Sequence, residues 1–315
     1  MSLFSVIIPL YNKENYVEKA INSILNQTYN DFEIIIIDDC STDLSYEISK
    51  KNVSEKIRLI KHDKNKGLSA SRNTGILNSK AEYITFLDAD DVWKPTYLEE
   101  IKSLIDTFPE AKLFATNYEE VYPNEVVILP KNNANTIESS QIIEDFFKIS
   151  LGQPLYCACS LCVEKSVFDI VGNYNETITY SEDIDFNIRA NLSFKLAYSK
   201  KALVSYMIFS ENQITNNSLN KKVIPNFNEY EIFVKQNKSL KKYLDFNRYV
   251  FAKKYKIEKN TTLFKELKSK IDLKNLSWKQ KMLLVFPRFI IIFIVKIKDF
   301  FVKKGVKFTS YSSIE

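Results

Sequence analysis

Ile34-Ile35-Ile36-Ile37-Asp38-Asp39 decides how this chain is read. Alternate side chains of a strand point to opposite faces, so a run of isoleucines is a strand buried on both of them. The run stops at two carboxylates. Strands of this kind belong to parallel sheets covered by helices, whose ligands collect beyond the carboxyl ends of the strands. Asp38 and Asp39 stand at such an end.

Working outward, strand-like runs recur at Phe4–Leu10, Ile57–Ile60, Tyr83–Leu87 and Leu113–Thr116. Between the runs, Asn15–Asn26, Leu44–Lys51, Ser69–Asn78 and Thr96–Thr107 space their apolar residues as helices do. The alternation predicts an α/β fold with a mostly parallel central sheet flanked by helices. A second acidic cluster ends the fourth run, in Leu87-Asp88-Ala89-Asp90-Asp91. Were this segment extended, Asp88 and Asp90 would face one side together. Paired carboxylates at such a rim suit a hard divalent cation, Mg²⁺ or Mn²⁺, whose shell is completed by substrate phosphate oxygens. A solvated acidic loop is the ordinary alternative, because short Asp-x-Asp matches are common by chance.

Farther along, the pattern loosens from about 120 to 165, with a loop at Lys131–Thr136 and a helix expected near Glu138–Ile149. A helix starts at Ser181, with Ser181 as its cap and acids in its first turn; Ala202–Phe209 reads as a strand. Past about 220 the chain is Lys-rich and helical. We place a boundary near 215, dividing a catalytic-type domain (1–215) from a basic helical region (216–315).

Charge follows that division. Residues 1–215 carry 21 Lys/Arg against 31 Asp/Glu, and residues 216–315 carry 23 against 8, so nets of −10 and +15 make up the overall +5. An anionic partner for the second part follows. His62 is the one histidine, which argues against a Ser-His-Asp triad and a His-rich zinc site. With five glycines and neither GxGxxG nor GxxxxGK[ST], a dinucleotide fingerprint and a P-loop are absent. Carboxylates must carry the chemistry, and His62 is read as structural. Cys157, Cys159 and Cys162 sit among apolar neighbours and read as core packing rather than as metal ligands. No secretory signal opens the sequence, so a reducing cytoplasm is the expected compartment.

The motifs, taken in order, resemble glycosyltransferase family 2. They are Ser5-Val6-Ile7-Ile8-Pro9-Leu10-Tyr11-Asn12; Ser23 to Tyr29; Glu33 to Asp43; Asn65 to Gly75 with Arg72; and Asp88–Asp91 followed by Trp93 and Pro95. Gly172-Asn173-Tyr174-Asn175-Glu176 and Glu182-Asp183-Ile184-Asp185-Phe186, with Arg189 beyond, complete the set. The likeness covers about 4–210.

The resemblance implies a GT-A fold, a nucleoside-diphosphate sugar donor with a preference for uridine, and inversion at the anomeric carbon. On that analogy the donor-side residues are Pro9, Tyr11, Asp38, Asp39, Arg72, Asp88 and Asp90. Pro9 and Tyr11 would shape the base pocket, Asp39 would bind the nucleobase, and Arg72 would approach the nucleotide or diphosphate. Asp88 would reach the base or ribose, and Asp90, with Asp88, would hold the metal. Asp183 would be the catalytic base, kept ionised by the helix terminus, and Glu182 its neighbour on the acceptor side. Arg189 is equally suited to a ligand and to surface acids. Two departures matter: Asn173 replaces a family glycine, and no Gln-x-x-Arg-Trp occurs, which points away from processive polymer synthesis. Nucleotidyl transfer to a sugar phosphate and a non-catalytic adaptor on a transferase fold are the rival readings.

The basic region ends in an apolar stretch, Met282–Val295, interrupted by Pro287 and Arg288. A bilayer span needs about 20 residues, so this one is too short. Lysines and phenylalanines mingle through 282–307, as in a helix lying in the interface of an anionic membrane. The expected placement is peripheral, on the inner face of the cell membrane. Packing on the catalytic domain and self-association are the other uses of such a helix. Nucleic acid is not an expected partner. The acceptor is expected to be a glycan or a lipid-linked glycan of the bacterial-surface type.

Overall fold

A computed structural model describes residues 2–123, 125–130 and 137–302 of the chain. The loop at 131–136 and Lys303, Lys304 and Lys307 lie outside these residues. The strands are β1 (Phe4–Leu10), β2 (Phe32–Asp38), β3 (Ile57–Lys61), β4 (Tyr83–Phe86), β5 (Val92–Trp93), β6 (Leu113–Val121), β7 (Val127–Ile128), β8 (Gln141–Ile143), β9 (Leu161–Glu164) and β10 (Leu196–Met207). The helices are α1 (Val17–Leu25), α2 (Ser45–Lys51), α3 (Leu68–Asn78), α4 (Tyr97–Thr107), α5 (Phe146–Ile149), α6 (Ser166–Val171), α7 (Glu182–Ser193), α8 (Lys238–Ile257), α9 (Thr261–Ser269), α10 (Trp278–Val285) and α11 (Arg288–Val302).

One sheet runs in the order β3-β2-β1-β4-β9-β6-β10-β5, with β7 on β6 and β8 on β10. The β3-β2-β1-β4 half is parallel, and β6 pairs with β10 in parallel. β9 lies antiparallel between β4 and β6. This is the expected α/β architecture with helices on both faces. Alternation along β1 sorts its side chains between two cores. Phe4, Val6, Ile8 and Leu10 pack with α1 and α4, while Ile7 faces the side that holds Ile76 and Phe186. α3 lies so close to β1 that a Cβ at Gly75 would come within 2.3 Å of Ile7 Cγ2.

Four expectations change. No helix spans Glu138–Ile149. Gln141–Ile143 instead pairs antiparallel with Leu196–Tyr198, and only the four residues of α5 follow. An open sheet edge overrode the helical spacing there, because pairing satisfies backbone groups that local propensity leaves open. β10 begins at Leu196 rather than Ala202; an irregularity at Ser199/Ala202 lets the strand continue through the exposed Lys200-Lys201 pair. Ser181 does occupy the residue before α7, but in a left-handed conformation (φ 59°) with no capping side-chain bond. Finally, Asp88–Asp91 is a turn closed by Asp91 N–H to Asp88 C=O (2.9 Å), so Asp88 and Asp90 do not share a face by strand alternation.

The basic region folds against the sheet. Leu240, Tyr243, Leu244, Phe251 and Tyr255 of α8 are buried in the same core as Tyr156 and Phe186. Pro287 separates α10 from α11, and among the described residues no helix is long and apolar enough to cross a membrane. α11 turns Ile291 inward and leaves Phe289 (71% exposed), Phe293 (64%) and Phe300 (54%) in solvent. These three fall on one helical stripe with Lys296.

Candidate active site

β1, β2 and β4 end along one rim, and the loops leaving them carry the acidic residues. Asp39 is buried, and both its oxygens are engaged. Oδ1 accepts from Lys66 N–H (2.8 Å) and contacts His62 Nδ1 (2.7 Å), and Oδ2 accepts from Gly67 N–H (2.8 Å). Asp39 thus pins the turn that opens α3, where Gly67 adopts φ 92°, a conformation that favours glycine. His62 Nε2 reaches Thr74 Oγ1 (2.9 Å) on α3, so the buried imidazole ties helix to carboxylate. That agrees with the structural reading of His62 and adds a role that sequence spacing gave no sign of. Asp38 is wholly buried; Oδ2 accepts from Ser41 N–H (3.3 Å), while Oδ1 has no partner among the described residues. Pro9 is buried within β1, whereas Tyr11 just beyond it is 42% exposed.

Arg72 joins the acidic groups. It is 1% exposed, donating through Nη2 to Asp88 Oδ1 (3.0 Å) and through Nη1 to Glu182 Oε1 (2.5 Å). Its guanidinium stands 5.2 Å from the Tyr174 ring centre and 5.8 Å from that of Phe86. The sequence placed Arg72 at the donor's nucleotide or diphosphate; the structure makes it a buried bridge between the Asp88 turn and α7. Glu182, 6% exposed, is the far end of that bridge.

Asp90 is 9% exposed and carries Lys13 Nζ at 2.7 Å on Oδ2, with the Ser210 hydroxyl on the same oxygen. A carboxylate that already draws a cation into a cluster of oxygens fits Mg²⁺ or Mn²⁺ by its donor set. Among the described residues the one group spaced to share an ion is Asp88, Asp91 and Cys159. Burial pushes the Asp91 carboxyl up, with Asp90 and Asp88 adding to the effect, and burial likewise pushes up the Cys159 thiol. A protonated thiol donating to Asp91 (3.0 Å) is a poor ligand for a hard cation. Sequence reading gave Cys159 no part here, and only the fold brings it beside Asp88 and Asp91.

Across Arg72 lies Asp183, in the first turn of α7. It lines a small cavity with Phe146, Tyr156, Asn187, Tyr243 and Phe246. Its pKa is pushed up to about 6, first by burial and then by the neighbouring Glu182. Arg72 and the backbone N–H groups at the helix start oppose this shift without cancelling it. Tyr243 and Phe246 come from α8, so the basic region supplies one wall of the cavity. Arg189 pairs with Asp185 (2.7 Å) and donates to the carbonyls of Gly172 (3.0 Å) and Asn173 (2.9 Å). It holds the Gly172-Asn173 turn to α7. Tyr174 stacks on Phe186 at 4.8 Å between ring centres, so this residue belongs to the core.

Known glycosyltransferases resemble this chain. Residues 5–159 match the family model described as Glycosyl transferase family 2. The chain is similar to glycosyltransferase GlyA of Streptococcus pneumoniae, 33% identical over 225 residues, covering 65% of this chain and 30% of that protein. It is also similar to the putative teichuronic acid biosynthesis glycosyltransferase TuaG of Bacillus subtilis, 38% identical over 100 residues, 31% of this chain and 40% of that one. The chain therefore spans less than half the length of these curated relatives. Among solved structures, S. aureus TarS 1–349 in complex with UDP-GlcNAc superimposes with a TM-score of 0.61 at 19% identity, covering 81% of this chain and 72% of that one. At that identity the likeness shows the fold, which is of the GT-A type.

Proposed function

We propose that this chain, whose residues 5–159 match the model of glycosyltransferase family 2, moves a sugar from a nucleoside-diphosphate donor to a glycan or lipid-linked glycan, with inversion. One observation carries this reading: a single buried guanidinium, Arg72, holds the Asp88 turn on one side and the Glu182-Asp183 helix start on the other. An inverting displacement needs that separation, with leaving-group stabilisation on one side and a base on the acceptor's side. TarS bound to UDP-GlcNAc supports a uridine nucleotide as the donor type.

In this mechanism Asp183 accepts the proton of the acceptor hydroxyl, and its elevated pKa suits a base working near neutrality. Glu182 and Arg72 fix the start of α7 so that the Asp183 carboxylate keeps its place. Tyr11 offers an exposed ring to a nucleobase above the end of β1, and the Asp39–His62 pair keeps the α3 entrance in shape for the nucleotide. Pro9 backs that base pocket, and the buried Asp38 holds the turn at Ser41 beside it. Asp90, assisted by Asp88, would hold Mg²⁺ or Mn²⁺, and the metal would neutralise charge on the departing diphosphate.

Residues 1–215 hold the donor chemistry in this proposal. Residues 216–315 complete the acceptor wall and bring the enzyme to an anionic membrane surface on the cytoplasmic side. The exposed phenylalanines of α11 beside Lys296 support that surface role. Product analysis tests the whole. Release of a nucleoside diphosphate in a metal-dependent reaction is expected. Pyrophosphate release would reassign the protein to nucleotidyl transfer, and failure to bind any nucleotide in a thermal-shift panel would overturn the catalytic reading.

A further inference from the structure

Lys13 lies just past β1, one residue beyond the Ser5–Asn12 motif, and its side chain goes inward rather than into solvent. It is 9% exposed, and its ammonium meets three oxygens: Asp90 Oδ2 at 2.7 Å, Ser210 Oγ at 3.2 Å and the Glu211 carbonyl at 2.5 Å. Three acceptors saturate the three N–H donors of a lysine. This is an oxygen-lined cation position, and a side chain of the protein fills it.

The same contacts fasten one loop to another. Ser210 and Glu211 follow β10, and this segment is tied to the Lys13 loop by further bonds. Asn212 Nδ2 donates to the Asn12 carbonyl (3.2 Å), and Asn15 Nδ2 donates to Glu211 Oε2 (3.0 Å). Asn12, Phe209 and Asn212 all have left-handed φ angles, 52°, 63° and 57°. A bulky residue such as Phe209 adopts that conformation only where its surroundings impose it, and its ring stays 58% exposed. The segment after β10 is held against its local preference, and the bond at its centre is Lys13 to Asp90.

We propose that Lys13 is the resident counter-cation of Asp90, so that a divalent metal binds this carboxylate only by displacing the Lys13 ammonium and unlatching residues 208–213. This rests on the reading of Asp90 as the metal ligand. Lys13 is then a positioning residue, since it acts on the donor site through Asp90 and the loop. Two cations compete for one carboxylate oxygen, and the loser frees the loop beside the exposed Tyr11.

Mn²⁺ titration of the full chain without donor, followed by electron paramagnetic resonance of the free ion, tests this directly. Coupling between sites of this kind amounts to about 5–150-fold in affinity. Lys13→Met is expected to tighten Mn²⁺ at least about five-fold, and Lys13→Arg to leave it near wild type. Ser210→Ala takes away one acceptor while keeping the ion pair, and should tighten Mn²⁺ by a smaller factor; it decides the matter if Lys13→Met does not fold. Hydrogen exchange at 208–213 should rise on Mn²⁺ addition in the wild type, and be fast without metal in Lys13→Met. Unchanged or weaker Mn²⁺ binding in Lys13→Met and Ser210→Ala, with binding still abolished by Asp90→Asn, overturns the proposal and leaves the metal site standing. Mn²⁺ binding indifferent to Asp90→Asn overturns both.

Discussion

Arg72 and Glu182, 110 positions apart in sequence, meet at 2.5 Å in a site from which solvent is nearly excluded. Asp88 holds the other arm of the same guanidinium. Removing one partner of a buried pair leaves an uncompensated charge, which costs about 3–5 kcal/mol. Arg72→Ala is therefore expected to lower the urea midpoint markedly. Arg72→Lys should recover little, because a single ammonium cannot reach two carboxylates in forked geometry. Equal midpoints for wild type and Arg72→Ala would remove the bridge from the account.

Asp183→Asn isolates the chemical step. The amide keeps the shape of the side chain and cannot take a proton, so turnover should fall by about 10²–10⁴. Thermal shifts with UDP and metal should be unchanged, since the cavity lined by Asp183 lies across Arg72 from Asp90. Substantial residual turnover would disqualify Asp183 as base.

Asp183 also sets an expected pH dependence. A base must be deprotonated, so kcat/KM should rise with pH through an inflection near pH 6. Stability runs the other way. A carboxyl whose folded pKa is raised binds its proton more tightly when folded, so ionisation costs stability as pH climbs from about 4 to 6. Because the carboxylate is partly exposed, screening limits this to about 1–2 kcal/mol. Asp183→Asn should therefore be the more stable protein at pH 7 and lose that advantage at pH 4. Urea unfolding at both pH values checks the sign.

His62→Ala should weaken nucleotide binding without touching the metal. It leaves a buried Asp39 short of one bond and cuts the link to Thr74, loosening the start of α3. We expect loss of about 1–3 kcal/mol in stability and a reduced UDP-induced shift. An unaltered shift would mean that the Asp39 turn plays no part in the donor site.

Phe289→Ser with Phe293→Ser tests the α11 stripe. Both rings are largely in solvent, so the fold should be unharmed while sedimentation with anionic vesicles falls. Undiminished sedimentation would assign the surface to something other than a bilayer.

The isoleucine run of β2, the strands β1, β3, β4 and β6, and the two acidic rims were legible in sequence because local periodicity and burial decide them. A strand with isoleucine on both faces has few other places to go. The order of the motifs likewise carried the resemblance to a family without a structure. Other features depend on residues far apart in the chain. β8 became a strand because an edge of β10 was open to it, against the local helical spacing. Arg72 became a buried bridge because Glu182, 110 residues away, arrived beside it. Asp183 gained a pKa near 6 from burial that α8 helps to provide, and Lys13 found Asp90, Ser210 and Glu211 only through the closing of the sheet. Sequence determines which faces must be hidden, since that is a matter of neighbours one to four residues apart. Which charges then meet inside depends on packing between distant elements, and tertiary structure alone decides it.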